Sequence, residues 1–343
     1  MLRVKFLSSQ PASEWQRYFP NGKPVWKSCE FTFDRDDRFY DWLVVYDELP
    51  PAVGQNRNSA VEIVACPAQN TILITTEPAS IKSYGRYYTR QFGHVLTTQP
   101  AWALPHPQRH WQQTANHWFY GSNHNAPMSY ERLQRGGAGK TKDVSMVGSA
   151  KAQKHTMHAT RYAFIKRIQE LMPEIDVYGR GYIPMTDKAE ALDDYRYHIA
   201  LENHIAPHHW TEKLADAFLG RCLPFYAGAP NATEYFPEGS LVAIDMKKPE
   251  AALALLRQAI AENWYEQRLS LIEEARQRVL EDYHLFAVIE KIIMTAPIVK
   301  AYIPRTTCIY SRHALRRRSL WIAIFQAGEK LVLRAHAFFS RLG

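Results

Sequence analysis

Glu202, Asn203, Glu212 and Lys213 bring two carboxylates, an amide and an ammonium group to a short stretch where the residue pattern changes from strand to helix. Tyr197 to Leu201 is a β-prone apolar run, and Thr211 opens a segment of good helix formers. In an open α/β sheet, ligands bind outside the carboxyl ends of the strands, where the next helix turns free N–H groups and its positive dipole end toward an anion. Lys213, in the first helical turn, adds a point charge for a phosphate there. Glu212 would be repelled by that phosphate, so its natural partner is a neutral diol such as that of a ribose. The chemistry indicated is that of a phosphorylated ligand. A plainer reading fits this segment alone: Thr211 caps a helix, Glu212 favours the dipole and Lys213 is solvated.

The surrounding elements favour a ligand site. Arg221 to Pro230 reads as a buried strand running into a Gly/Pro turn, which with the preceding strand and helix makes a βαβ unit. Further strands are predicted near Leu2 to Leu7, Trp42 to Tyr46, Val61 to Cys66, Thr71 to Thr75, Val144 to Val147, Asp176 to Tyr178 and Leu241 to Ile244. Helices are predicted over Thr160 to Met172, Thr211 to Leu219, Ala251 to Glu262 and Glu266 to Glu281. The fold class is therefore α/β, and 343 residues suggest about two domains. The Gly/Lys-rich run from Arg135 to Lys142 reads as a flexible linker, giving an amino-terminal domain 1–143, a second domain 144–300 and a tail 301–343.

The runs Ala200-Leu-Glu-Asn-His, Trp210-Thr-Glu-Lys-Leu-Ala-Asp-Ala-Phe and Leu223-Pro-Phe-Tyr-Ala-Gly-Ala-Pro, in this order, resemble the signature of glycosyltransferase family 10, the α1,3-fucosyltransferases. The likeness extends back through Asp176-Val-Tyr-Gly-Arg-Gly-Tyr182 and Asp187-Lys-Ala-Glu-Ala-Leu192. The resemblance implies a GT-B-like architecture: two Rossmann-like domains facing a cleft, the acceptor held by the first and the nucleotide sugar by the second. It also implies that Glu202, Asn203, Glu212 and Lys213 line a GDP-fucose site, Glu212 on the ribose and Lys213 on the diphosphate. A further basic residue in the family touches the diphosphate, and Arg180 and Lys188 are the two candidates. Asn70 to Pro78 resembles the family strand whose terminal glutamate serves as base, which points to Glu77; Thr76 stands where relatives often carry glycine. Inverting displacement at an anomeric carbon needs one such base opposite the leaving group.

Other patterns weigh less. Asp34-Arg-Asp36 has the form of a cation-binding Asp-x-Asp, but it lies in a charge run that reads as a solvated face. His204 and His208 are spaced like helical metal ligands, yet Pro207 interrupts them, and these histidines read alternatively as donor-pocket lining. Gly136 to Thr141 imitates the end of a P-loop without the preceding apolar strand. No cofactor or metal is expected, the GDP sugar being a co-substrate. Cys29, Cys66, Cys222 and Cys308 form no Cys-x-x-Cys pair, which fits a reducing compartment.

The tail carries eight Lys/Arg and one acid, Glu329, so it holds almost all of the net charge of +8. These charges alternate with Leu320, Trp321, Ile324, Phe325, Leu331 and Val332, as in a basic amphipathic helix lying on an anionic membrane. No recognition motif for nucleic acid accompanies them. The start of the chain has no signal-peptide core, and no run of ~18 apolar residues is present. The expectation is a bacterial, cytoplasmic inverting glycosyltransferase at the inner face of the inner membrane, moving L-fucose from GDP-fucose to a surface glycan such as lipopolysaccharide. The alternatives are another nucleotide sugar on the same fold, or a glycan- or membrane-binding protein without turnover. The aromatic-rich stretch Trp102 to Tyr120 is expected to shape the acceptor site.

Overall fold

The computed structural model describes residues 1–115, 117–123, 125–137, 139–149, 157–297 and 307–339. Two compact units result, one made of residues 1–114 with 288–343 and the other of residues 115–287.

The first unit is built on β1 (Leu2–Leu7), β2 (Val25–Trp26), β3 (Cys29–Thr32), β4 (Trp42–Tyr46), β6 (Thr71–Ile74), β7 (His94–Thr97) and β8 (Arg109–Trp111), with β5 (Val61–Val64) outside the main sheet. The sheet order is β2-β3-β1-β4-β6-β7-β8, and every pairing except β2 with β3 is parallel. β4, β6 and β7 are buried almost throughout because their sequences, Trp-Leu-Val-Val-Tyr, Thr-Ile-Leu-Ile and His-Val-Leu-Thr, are apolar or small on both faces. Its helices α1 (Ala12–Gln16) and α2 (Arg86–Thr89) are short, and loops and 3-10 turns make up much of the connection between its strands.

The second unit contains α3 (Tyr130–Arg135), β9 (Lys142–Ser149), α4 (His158–Leu171), β10 (Asp176–Arg180), β11 (Tyr195–Leu201), α5 (Glu212–Leu219), β12 (Leu223–Ala227), β13 (Val242–Ala243), α6 (Pro249–Ala261), α7 (Trp264–Gln267) and α8 (Leu269–Glu281). Its all-parallel sheet runs β10-β9-β11-β12-β13. One face packs Tyr197, Ile199, Leu201 and Phe225 against Phe164, Ile165, Ile168, Leu253 and Leu256. α9 (Leu285–Thr295) then leads back to the first unit.

The unit boundary falls at 114/115, not at 143/144 as the linker composition suggested. The physical reason is a set of carboxylates that hold the loop backbone. Asp216 Oδ1 accepts the N–H groups of Phe119 and Tyr120, both at 3.0 Å, and Asp187 accepts those of Gly121 and Asn123, both at 2.8 Å. The Gly/Lys run is also tied down, since Lys140 Nζ donates to the Leu192 carbonyl at 2.9 Å and to that of Gly220. The aromatic stretch Trp102 to Tyr120 is accordingly divided, with Trp102 and Trp111 exposed in the first unit and Trp118 and Tyr120 buried in the second.

The tail is not a separate body. Residues 301–306 and 340–343, and with them the expected 300/301 boundary, lie outside the described residues. β14 (Thr307–Tyr310) pairs antiparallel with β5, and α10 (Arg312–Arg318) and α11 (Leu320–Phe339) follow. Arg312 reaches Glu48 at 2.5 Å, Phe325 meets Tyr87 edge-on at 5.4 Å, and Gln326 and Leu333 are buried. In the Asp34–Arg38 run, Asp34 and Asp36 are exposed as expected, but Arg35 turns inward to Glu62 at 2.9 Å, beside Lys5 at 2.8 Å.

Candidate active site

The order β10-β9-β11 places a topological switch point between β9 and β11: the chain leaves β9 toward one edge of the sheet and returns to its other side. Ligands in doubly wound sheets bind at this place, outside the carboxyl ends of the strands. A cavity of about 220 Å³ lies there within the second unit, and Phe119, Arg161, Lys188, His198, Glu212 and Lys213 contribute to its lining.

β11 alternates its side chains, sending Tyr197, Ile199 and Leu201 into the core and His198, Ala200 and Glu202 to the face covered by α5. Glu202 is fully buried. It accepts the Thr211 N–H at 2.8 Å and the Thr211 hydroxyl at 2.7 Å, with Lys213 Nζ 3.5 Å away. The strand end thereby fixes the N-cap of α5. Burial pushes the Glu202 carboxyl above its ordinary range, against the pull of Lys213. A Cβ on Gly228 would lie 2.1 Å from the Tyr226 hydroxyl oxygen and 2.6 Å from Glu202 Cγ, so this turn requires glycine.

Glu212 and Lys213 open α5 and meet at 2.6 Å. Burial works against the Glu212 anion, but Lys213 and Lys188 overcome it and hold the carboxyl down to about 2. Burial likewise opposes the Lys213 cation, and Glu212 and Glu202 outweigh it, raising the ammonium above its usual value. One turn further, Asp216 receives Lys188 Nζ at 2.7 Å. Burial raises the Asp216 carboxyl despite that lysine.

The structure places Lys188, Glu212 and Lys213 in the lining of one cavity, with Glu202 buried 3.5 Å from Lys213 and Asn203 in contact with Arg161, another lining residue. Of the two basic candidates, Lys188 lines it, whereas Arg180 is exposed at the end of edge strand β10 and does not. Glu77 belongs to the first unit, where it is exposed just beyond the carboxyl end of β6. Its loop is anchored at Asp47, whose Oδ1 accepts the Thr76 hydroxyl at 2.8 Å and the Tyr84 hydroxyl at 2.5 Å. The Glu77 carbonyl takes an N–H from Gln99 at 2.9 Å. Among the described residues no group of three or more His, Cys, Asp or Glu is arranged to hold a metal ion.

Sequence reasoning missed Arg161. It lies in the first turn of α4, donates from Nη1 to Asn203 Oδ1, and its Nε is sealed from solvent without a hydrogen-bond partner among the described residues. The available signal was a basic residue opening the helix after the strand beside the switch point. Phe119 gave no local signal, because it belongs to the site only through the Asp216 contact 97 residues away.

Residues 138–267 match the model of glycosyltransferase family 10 (fucosyltransferase), C-terminal part. A crystal structure of α1,3-fucosyltransferase with GDP-fucose aligns over 88% of this chain and 92% of its own, at 12% identity and a TM-score of 0.46. One of α1,3-fucosyltransferase with GDP aligns over 83% of this chain and 92% of its own, at 14% identity and a TM-score of 0.45. The pneumococcal O-GlcNAc transferase in complex with UDP and GlcNAc aligns over 74% of this chain and 52% of its own, at 14% identity and a TM-score of 0.38.

Proposed function

We propose that this chain, whose residues 138–267 match the model of glycosyltransferase family 10, belongs to that family and is an inverting fucosyltransferase that uses GDP-fucose. Arg161 carries the reading: its guanidinium lines the cavity beside Lys213 at the α5 N-terminus, where a diphosphate would meet both positive charges. Lys213 adds a second positive charge and Glu212 takes the ribose hydroxyls. Glu202 and Asn203 position α5 and Arg161 respectively. In the reaction, Glu77 removes the acceptor hydroxyl proton as that oxygen attacks the anomeric carbon. The bond to GDP breaks on the opposite face, and Arg161 and Lys213 take up the negative charge on the departing diphosphate.

The acceptor in this reading is a lipid-linked or lipopolysaccharide-type bacterial glycan, reached at the cytoplasmic face of the inner membrane. Among the described residues no helix is long and apolar enough to cross a membrane. Support for a surface role comes from α11, where Leu320, Trp321, Ile324, Leu331 and Val332 are exposed next to Arg317, Arg318, Lys330 and Arg334.

The deciding experiment measures binding and slow hydrolysis of GDP-fucose, GDP-mannose, UDP sugars and CMP sugars, each with and without EDTA. Selective, EDTA-resistant use of GDP-fucose is expected. Preference for another nucleotide sugar would overturn the fucose assignment, and loss of turnover in EDTA would overturn the metal-free mechanism.

A further inference from the structure

His198 lines the donor cavity, yet the reaction above leaves it without a role. Its protonation is fixed by a short chain of hydrogen bonds. The Ala191 carbonyl can only accept, so the single hydrogen of the Ser145 hydroxyl points to it. Ser145 Oγ must then accept from His198 Nδ1, 2.9 Å away, which puts the ring proton on Nδ1 and a lone pair on Nε2. Burial, with Lys188 and Lys140 nearby, holds this histidine at about 3, so the ring is neutral at physiological pH. The residue is 5% exposed, Nε2 has no hydrogen-bond partner among the described residues, and it is not one of the sealed side-chain atoms. It keeps contact with the cavity.

This acceptor stands beside a donor. Lys188 Nζ is held by Asp216 at 2.7 Å and has further N–H groups to offer. Its charge lies 5.4 Å from the centroid of the Phe119 ring, which is 47% exposed. An aromatic face next to a donor–acceptor pair suits a planar heterocycle. Position along the strand separates the base from the sugar. His198 precedes Glu202 by four residues, which sets it ~13 Å back along β11 from the rim where α5 starts. The anomeric carbon must stay open to an acceptor hydroxyl, so the sugar belongs at the rim and the inner end is left for the nucleoside.

We infer that His198 is a specificity-determining residue of the donor site, its Nε2 accepting the ring N–H of a lactam nucleobase whose carbonyl oxygen faces Lys188. The inference rests on the donor-site reading. The pair excludes a base edge with two adjacent acceptors and fits the edge of guanine.

The test is calorimetric titration of the full chain with GDP, 1-methyl-GDP and inorganic pyrophosphate. His198→Asn keeps a donor for Ser145 and removes the acceptor. It is expected to weaken GDP about tenfold, the worth of one neutral hydrogen bond, and to leave pyrophosphate unchanged. His198→Gln, which can return an amide oxygen to the place of Nε2, recovers most of the loss. On the wild-type protein, where folding is not in question, 1-methyl-GDP binds at least tenfold more weakly than GDP, and the Asn variant no longer distinguishes them. Equal loss of GDP and pyrophosphate in the Asn variant, or a wild type that binds both nucleotides alike, would overturn the inference. Loss for GDP-fucose with GDP unchanged would assign His198 to the sugar and also overturn it. A wild type that binds neither GDP nor pyrophosphate would instead remove the donor-site reading itself.

Discussion

Replacing Arg161 by methionine should move binding and stability in different directions. In the free protein the Nε of Arg161 is sealed without a partner among the described residues, and the hydrogen bond of Nη1 to Asn203 Oδ1 offsets only part of the desolvation. A sealed, unsatisfied donor costs ~1–3 kcal/mol, and a hydrogen bond involving a charged group contributes ~1.5–3 kcal/mol. A methionine of similar length removes both and adds apolar burial, so the free protein should keep its stability or gain up to ~1 kcal/mol, a rise of roughly 2–4 °C in Tm. Donor binding should fall sharply. Two charge-assisted hydrogen bonds to a diphosphate at ~1.5 kcal/mol each amount to ~3 kcal/mol, or about 150-fold in Kd. The factor should be similar for GDP and pyrophosphate, since the contact is to phosphate. Thermal melts of the free protein and calorimetric titrations measure the two effects separately. A Tm lowered by more than ~5 °C with GDP affinity nearly unchanged would show that Arg161 serves the fold, and the diphosphate assignment would fail.

Glu77→Gln should reduce transfer by ~10²-fold or more while GDP-fucose binds as before, which acceptor-dependent GDP release and titration would show; retained transfer would exclude Glu77 as the base. Glu212 has a folded-state value of about 2 against an ordinary 4.5, so its stabilising contribution is complete above pH 4.5 and is lost as the pH falls toward 2. Urea titrations across that window should therefore show a smaller pH dependence for Glu212→Gln than for wild type, and equal slopes would refute the ion-pair account. Trp321 and Ile324 are 78% and 55% exposed, so the double change to serine should leave folding intact and reduce sedimentation with anionic vesicles; unchanged sedimentation would refute membrane contact through α11.

The strand and helix that frame the candidate site were readable because their signals are local. The apolar run of β11, the cap at Thr211 and the charges of Glu212 and Lys213 all fall within one βαβ unit, and the predicted strand and helix limits agree closely with those observed. What sequence patterns concealed depends on long-range partners. Arg161 meets Asn203 across 42 positions, and Phe119 joins the second unit through a buried carboxylate on α5. Composition marked Arg135 to Lys142 as a linker, but Asp187 and Asp216 had already drawn the preceding loop into the second unit. The amphipathic pattern of the tail suggested a basic helix and gave no sign that β14 pairs with β5 or that Gln326 and Leu333 turn inward.

The interrupted first unit has a consequence for synthesis. Residues 115–287 form an uninterrupted stretch and can fold as soon as they leave the ribosome, whereas β5 has no strand partner until Thr307 to Tyr310 arrive. At ~5–20 residues per second, the chain between Val64 and Thr307 takes roughly 12–50 s to appear. Throughout that interval β5 offers an open edge to any other nascent chain. Translation past Tyr310 therefore acts as the clock for completing the first unit, and premature release would leave a folded second unit joined to an unfinished one.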